Sequence, residues 1–131
     1  MLSHVTIGTN DLKRAKAFYD RIMAVLRIPC IADEQLNGLV GYAKSRETTP
    51  QLYLMRPIDG RPAAVGNGQT FAFLAQDRAT VRAFHQAALA AGGTCAGPPG
   101  LRAHYHPDYY GAYVRDPDGH KLACACHLPE D

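Results

Sequence analysis

A strand, a helix and a group of short strands follow one another twice along this chain, and the second copy begins 66 residues after the first. Asp11 and Asp77 each precede a helical pattern, and an Ala-Phe pair lies at the same distance beyond each aspartate. Later in the copies, Gly41 and Gly111 are 70 residues apart, which we interpret as one shared landmark. One such unit cannot bury both faces of its own sheet, so the repeat predicts two units side by side.

The spacing of apolar residues defines the elements of each copy. In the first copy it predicts a strand over residues 2–8, a helix from Leu12 to Leu26, and strands over 30–33, 38–44 and 50–56. In the second copy it predicts a strand over 69–75, a helix whose apolar face runs from Val81 to Ala91, a short strand at Thr94 and Cys95, and strands over 109–115 and 120–127. Residues 97–107, which contain three prolines, are expected to form a long loop.

These elements predict an α+β fold within one domain of 131 residues. Module one covers residues 1–56, a crossing loop rich in Gly and Pro covers 57–68, and module two covers 69–131. Two βαβββ modules in tandem are expected to form a cupped mixed sheet around a cleft, with the helices outside. Because side chains alternate along a strand, the apolar residues should face the helices, and residues such as His4 and Tyr53 should face the cleft.

Composition and charge exclude several classes of protein. The formal net charge is +2 and the basic residues are scattered, which argues against nucleic acid or a membrane surface as the main partner. No apolar stretch is long enough for a transmembrane helix, and the N-terminus has no signal-peptide pattern, so we expect a cytoplasmic protein. The four cysteines are expected to be free thiols.

Four sequence features point together to a known family. They are the paired βαβββ modules, the opening His4-Val5-x-Ile7, the segment Ala17-Phe18-Tyr19 in the first helix, and the turn Asp116-Pro117-Asp118-Gly119 before the last strand. In this ordered set the chain resembles the vicinal oxygen chelate superfamily, which holds glyoxalase I, the bleomycin-resistance proteins and the extradiol dioxygenases. The resemblance covers essentially the whole chain.

The resemblance implies, for metal-dependent members, a site with one His or Glu ligand from each of four strands. The corresponding positions here are His4, Tyr53, Thr70 and Ala123. Only His4 is a good ligand type, since Thr70 binds weakly, Ala123 cannot bind, and Tyr53 is a poor ligand for Zn²⁺, Ni²⁺ or Mg²⁺. We therefore expect a degenerate metal site without glyoxalase I activity. No cofactor is predicted, and a divalent metal held by other ligands is left open.

Two histidines are the candidate catalytic residues, His4 on the cleft face and His106 in the loop before the strand at 109–115. His104 and His106 are expected to point the same way, and Asp108 could orient one of them. The candidate ligand-binding residues are Tyr53, Thr70, His104, Tyr110 and Arg56. The alternative is structural: a hydrogen-bonded His4, and a packed loop over one end of the cleft. His120 is expected to be exposed, and neither it nor His127 is assigned a role.

Three functions remain open at this point. The first is a metal-free protein that holds a small organic molecule in the cleft, similar to the bleomycin-resistance branch. The second is a lyase, isomerase or dioxygenase that uses His4 and the His104–His106 loop as a non-standard metal or acid–base site. The third is a dimeric domain retained for interaction, with a cleft that binds nothing specific. A homodimer is expected from the resemblance, and no nucleic-acid or membrane partner is expected.

Overall fold

The chain divides into two compact units, Met1–Val65 and Gly66–Asp131, in a computed structural model that describes residues 1–130. Each unit has the order strand, helix, three strands, which confirms the predicted pair of βαβββ modules. The boundary between the units lies inside the predicted crossing loop. Residues before that boundary belong to the first unit, since the Asn10 side chain hydrogen bonds to both backbone groups of Ala63.

The strands of each unit form one four-stranded mixed sheet. The first unit comprises β1 (His4–Gly8), α1 (Leu12–Val25), β2 (Cys30–Glu34), β3 (Leu39–Tyr42) and β4 (Gln51–Met55), with a short 3-10 turn at Gln35–Asn37. The second comprises β5 (Phe71–Leu74), α2 (Arg78–Ala90), β6 (Thr94–Leu101), β7 (Tyr110–Arg115) and β8 (Lys121–Cys126). The strand orders are β1-β4-β3-β2 and β5-β8-β7-β6, and only the first pair of each sheet is parallel.

Both helices begin at the predicted aspartates. The Asp11 carboxylate accepts a hydrogen bond from the Arg14 backbone N–H at 3.0 Å, and the Asp77 carboxylate accepts one from Thr80 at 2.7 Å. Each bond satisfies one of the backbone donors that a helix leaves unpaired in its first turn. Neither helix, nor any other within residues 1–130, has the length and apolar character needed to cross a membrane.

One face of each sheet packs against the helix of its own unit. In the first unit this face carries Ile7, Val40 and Leu54, all almost fully buried. In the second unit Phe73 reaches the ring of Phe84 on α2, with 5.9 Å between the ring centroids. The alternation predicted from the sequence is therefore correct. The opposite face of the sheet carries His4 and Tyr53 in the first unit and Ala72 and Ala123 in the second.

The strand register confirms one part of the predicted repeat and corrects another. Thr6 pairs with Tyr53, and Ala72 pairs with Ala123, which agrees with offsets of 66 and 70 residues. The predicted match of Gly41 with Gly111 is wrong by two residues. Gly41 pairs with Tyr53, whereas the residue that pairs with Ala123 is Tyr113 and not Gly111. The connection between β7 and β8 is shorter than the one between β3 and β4, and this shifts the third strand.

The largest difference from the sequence-based prediction is the length of β6. Residues 97–101 were expected in a loop, but the strand continues to Leu101 through Pro98 and Pro99. Proline is tolerated because β6 is the edge strand of its sheet, where one row of N–H groups needs no partner. The pairing with β7 also shifts between Cys95 and Gly97 and between Gly97 and Gly100, so the prolines lie at bulges.

The turn between β7 and β8 has the predicted form. The Asp116 carboxylate accepts hydrogen bonds from the backbone N–H groups of Asp118 and His120, and Gly119 has a φ of 100°. That positive φ is accessible to glycine at no steric cost. His120, expected to be exposed, is buried with 7% of its surface accessible.

Candidate functional site

The open face of the first unit, away from α1, holds a small polar and aromatic cluster. The His4 ring meets the edge of the Tyr53 ring with 5.9 Å between centroids, and the Tyr53 hydroxyl donates to the Gln51 side chain. His4 is exposed, and its Nδ1 lies 2.9 Å from the Ser3 hydroxyl. Gly41 is the cross-strand neighbour beneath the Tyr53 ring. These contacts hold the tyrosine flat across the sheet.

The residues at the four strand positions do not fit a metal ion. Thr70 lies exposed just before β5, and Ala123 is 1% exposed on β8 with no donor atom in its side chain. No group of three or more His, Cys, Asp or Glu side chains suited to a metal ion occurs within residues 1–130. The donor chemistry at these positions thus supplies one imidazole, which is too little for the metal site that the resemblance implies.

The open face of the second unit carries a groove of about 340 Å³. It is lined by Ala96, Gly97, Arg102, His104, Tyr105, Tyr113 and Lys121. The ring of Tyr113 is the centre of the arrangement, since the Arg102 guanidinium lies 5.5 Å and the Lys121 ammonium 5.2 Å from its centroid. Both distances fall in the range of cation–π contacts. The groove therefore brings two positive charges onto one aromatic ring.

Backbone carbonyls hold the Arg102 guanidinium in place. Its two terminal nitrogens donate to the carbonyl oxygens of Gly100 at 2.8 Å and Pro98 at 2.7 Å. Among residues 1–130 no carboxylate lies within 4.0 Å of the charged groups of Arg102 or Lys121. The positive charge of the groove is therefore not neutralised by that part of the chain.

The hydroxyl groups of Tyr109 and Tyr113 lie 3.0 Å apart. Burial and this hydrogen bond raise the pKa of Tyr113, against the opposing effect of Arg102. The tyrosine consequently stays neutral at neutral pH and adds no negative charge to the groove. It can serve a ligand as a hydrogen-bonding tip on an apolar ring.

The loop from Arg102 to Tyr109 separates the two histidines that were expected to point the same way. His104 packs against Tyr105, with 4.3 Å between ring centroids, and lines the groove. His106 instead stacks on His127, and its Nε2 lies 2.9 Å from Nδ1 of that ring. The loop is a series of turns rather than an extended segment, so alternate residues need not share a side.

The tautomer of His106 follows from its contacts. Its Nδ1 accepts a hydrogen bond from the Asp108 backbone N–H, so in the neutral ring the proton is on Nε2 and is donated to His127. Asp108 contacts His106 through its backbone N–H, whereas the prediction was that its side chain could orient one of the histidines. Tyr109 meets both imidazoles edge-on, with centroids 5.7 and 5.2 Å away.

Among the five predicted ligand-binding residues, only His104 lines this groove, and the other four lie elsewhere within residues 1–130. Tyr110 is on the helix-facing side of β7, where the guanidinium groups of Arg78 and Arg82 lie over its ring and Arg82 donates to its hydroxyl at 3.3 Å. Arg56 is exposed beside Gly38 and donates to the Gln35 carbonyl at 3.4 Å. Their binding roles remain predictions.

Strand alternation contained signals for two placements that the sequence-based prediction missed. Lys121 lies two positions before Ala123 on one strand, so alternation places it on the open face. Tyr110 lies two positions before the buried Ala112, so the same rule places it on the helix side. No local signal identified His127 as the partner of His106, because the contact joins residues 21 positions apart.

Comparison with known proteins assigns the chain to a family. A family model described as the glyoxalase/bleomycin resistance protein/dioxygenase superfamily matches residues 1–124. The chain belongs to this superfamily. The resemblance inferred from the ordered motifs is thereby confirmed. No protein with a curated function matches the chain.

Solved structures of similar proteins agree. A glyoxalase/bleomycin resistance protein from Albidiferax ferrireducens T118 is 40% identical, with a TM-score of 0.84 over 98% of this chain and 99% of that one. A glyoxalase-related enzyme from Fulvimarina pelagi is 20% identical over 96% and 87% of the two chains, with a TM-score of 0.74. TioX from Micromonospora sp. ML1 is 16% identical over 98% and 99%, with a TM-score of 0.68. The last two share the fold with this superfamily member.

Proposed function

We propose that this superfamily member binds a small organic anion that carries an unsaturated or aromatic ring, and that the groove of the second unit holds it. The observation that carries the proposal is the placement of Arg102 and Lys121 over the Tyr113 ring. A carboxylate or phosphonate group between these cations would supply the negative charge that residues 1–130 do not place there. The proposal keeps the expectation of a small-molecule binding protein and specifies the charge of its ligand.

The two cations would contribute differently. Arg102 presents a planar guanidinium that two carbonyls already orient, so little side-chain entropy is lost when an oxyanion binds to its remaining N–H groups. Lys121, on β8, carries a compact point charge on a long stem and would add attraction without fixing the geometry. Arg102 should therefore decide which anions fit, and Lys121 should mainly raise the affinity.

The ring of the ligand would lie among Tyr105, Tyr113 and His104. Rings in this setting prefer offset or edge-on packing, with centroids about 4.5–7 Å apart. The groove is open on one side, so a ligand with a short polar tail would also fit. Binding by burial and charge needs no metal, which agrees with the donor types at His4, Tyr53, Thr70 and Ala123.

Titration with benzoate, and with the neutral benzamide of the same shape, tests the proposal. Tyrosine fluorescence can follow binding, because the chain has seven tyrosines and no tryptophan. Benzoate should bind and benzamide should bind roughly tenfold more weakly or not at all, since a hydrogen bond to a charged group contributes about 1.5–3 kcal/mol. Added salt should weaken the binding of benzoate alone.

Variants locate the site. Arg102→Met and Lys121→Met should each weaken benzoate binding, the first by roughly tenfold. Lys13→Met removes an exposed lysine from α1 in the first unit and should leave binding unchanged. Equal affinity for benzoate and benzamide, or binding that neither groove variant affects, would contradict the proposal.

A catalytic function is the second candidate, and the fixed tautomer of His106 favours it. With Nδ1 occupied by the Asp108 N–H, the proton on Nε2 is directed at His127, so the pair could relay a proton. Catalysis by His106, by His104 or by His4 stays a proposal. Metal content, together with turnover of hemithioacetal, catechol and epimerisable acid substrates, is the test. If His4→Ala and His106→Ala leave any such activity unaltered, this candidate fails.

A further inference from the structure

The second unit contains a thiol paired with an imidazole. Cys95 is an exposed residue of the edge strand β6, and its Sγ lies 3.2 Å from Nε2 of His85. His85 is half-buried on α2. The two residues are ten positions apart and meet because β6 and α2 pack together. Neither residue lines the groove described above, although Ala96 and Gly97 on the same strand do.

The direction of this hydrogen bond depends on the tautomer of the His85 ring. Burial lowers the pKa of His85, so the ring is neutral at neutral pH and has one nitrogen with a free lone pair. With the ring proton on Nδ1, Nε2 is a strong acceptor and the Cys95 thiol donates to it. An acceptor that is also a base can take the thiol proton as the sulfur attacks, so that the sulfur reacts in its nucleophilic form.

Within residues 1–130 the other three cysteines have no such base beside them. Cys30 is also exposed, but its Sγ donates to the Ala32 carbonyl oxygen at 3.3 Å, and a carbonyl cannot remove the proton. Cys124 is fully buried, and burial raises its pKa to about 12. Cys126 is 1% exposed and has the Leu128 carbonyl as a distant acceptor. Cys95 is thus the cysteine that is both exposed and next to a base.

We propose that Cys95 is a nucleophilic modification site for soft electrophiles of the α,β-unsaturated carbonyl class, with His85 as its proton acceptor. The thiol proton moves to Nε2 of His85 while the sulfur forms a bond to the β-carbon of the electrophile. The electron pair of the carbon–carbon double bond moves to the α-carbon, which then receives the proton from the imidazolium. The product is a thioether, and the addition needs no leaving group, oxidant or reductant.

N-ethylmaleimide, an α,β-unsaturated imide, is the probe. The native protein is treated with excess reagent, and the rate at each cysteine is measured by peptide mass spectrometry after acid quenching. Cys95 should react at least about tenfold faster than Cys30, since a positioned base typically contributes 10²–10⁴-fold. Cys124 and Cys126 should stay unmodified until the protein unfolds. Similar rates at Cys95 and Cys30 would overturn the proposal without the need for any variant.

The variant His85→Gln separates activation from exposure. Glutamine is similar in length but is not a base, so the Cys95 rate should fall to near that of Cys30. The Cys30 rate within the same molecule is the control for folding and reagent, and it should not change. If His85→Gln leaves both the Cys95 rate and the Cys30 rate unchanged, the reactivity of Cys95 comes from exposure alone. That result would reject the role of His85. Binding of benzoate in the groove is independent of all these outcomes.

Discussion

Single contacts decide how the open faces of the two sheets are built. In the first unit a tyrosine on the last strand lies over a glycine of its neighbour, as Tyr53 pairs with Gly41. In the second unit the pair is reversed, with Tyr113 on the third strand and Ala123 on the last. Each sheet thus carries one large ring beside one small residue, on opposite strands of the pair. This exchange makes the two units similar in fold and different in their surfaces.

Gly41→Ala should destabilise the protein, because a Cβ at this position would lie 2.6 Å from Cε1 of Tyr53. The expected loss is about 1–3 kcal/mol, as for other overpacked sites, measured by urea unfolding. In the background Tyr53→Ser the same glycine change should cost much less. Strictly additive effects in this double-mutant cycle would show that the ring is not the cause.

Tyr42 should make the protein sensitive to alkali. Burial, followed by its 2.7 Å hydrogen bond to the Asp20 carboxylate, raises the pKa of Tyr42 above its ordinary value of 10.0. A raised folded-state pKa means that the stabilisation is complete below pH 10 and is lost as the pH rises further, when the unfolded chain ionises first.

Comparison of Tyr42→Phe with the original protein isolates this effect. At pH 7 the variant should be less stable by about 1 kcal/mol for the lost hydrogen bond, a value reduced because Asp20 is partly exposed. Above pH 10 the gap in free energy of unfolding should close. Leu36→Ala, at a fully exposed residue that does not ionise, is the control and should change the free energy of unfolding equally at pH 7 and pH 11. A gap that is constant from pH 7 to pH 11 would contradict the assignment.

At the scale of elements, local rules were reliable for the helices and unreliable for β6. The predicted caps, apolar faces and hairpin turn are correct because each depends on residues within one or two turns of the chain. The extent of β6 depends on β7, which lies across the sheet and supplies the pairing that Pro98 and Pro99 would otherwise discourage. A proline cluster indicates a loop unless the segment is known to be an edge strand.

Asp77→Ala should shorten or loosen α2. Loss of the bond to the Thr80 N–H is expected to cost about 1 kcal/mol in the free energy of unfolding, measured by thermal or urea denaturation. Asp77→Asn keeps a side-chain acceptor and should cost less than the alanine change. Asp11→Ala should have a similar effect through α1, since the repeat gives both helices the same cap. Equal effects of Asn and Ala at position 77 would indicate a charge effect instead of the cap.

At the scale of the whole molecule, each unit has its own sheet, helix and buried residues. The segment between β4 and β5 contains Pro57–Thr70 and has no helix or strand. Part of it belongs to the first unit, since Ala63 is hydrogen bonded to Asn10. The exposed turn around Asp59 and Gly60 is the most accessible portion.

Limited proteolysis should cut this segment first. An endoprotease that cleaves before aspartate is expected to act at Asp59, which is exposed beside the 99% exposed Ile58, and to leave two fragments that each contain one βαβββ unit. Mass spectrometry of the early products gives the position. The variant Asp59→Ser should remove this first cut and slow overall digestion. A first cut within an element, for example at Asp33 in β2, would contradict the expectation.

The sequence by itself determined the repeated architecture, the superfamily, both caps and the side of the sheet on which most strand residues lie. These features repeat at short, fixed intervals that periodicity can detect. Only the tertiary structure decided that His106 meets His127, that Cys95 meets His85, and that Arg102 and Lys121 share the Tyr113 ring. Each of these contacts joins residues from separate elements or loops. It therefore depends on the paths of the loops and on the strand register, which no local pattern of residues encodes.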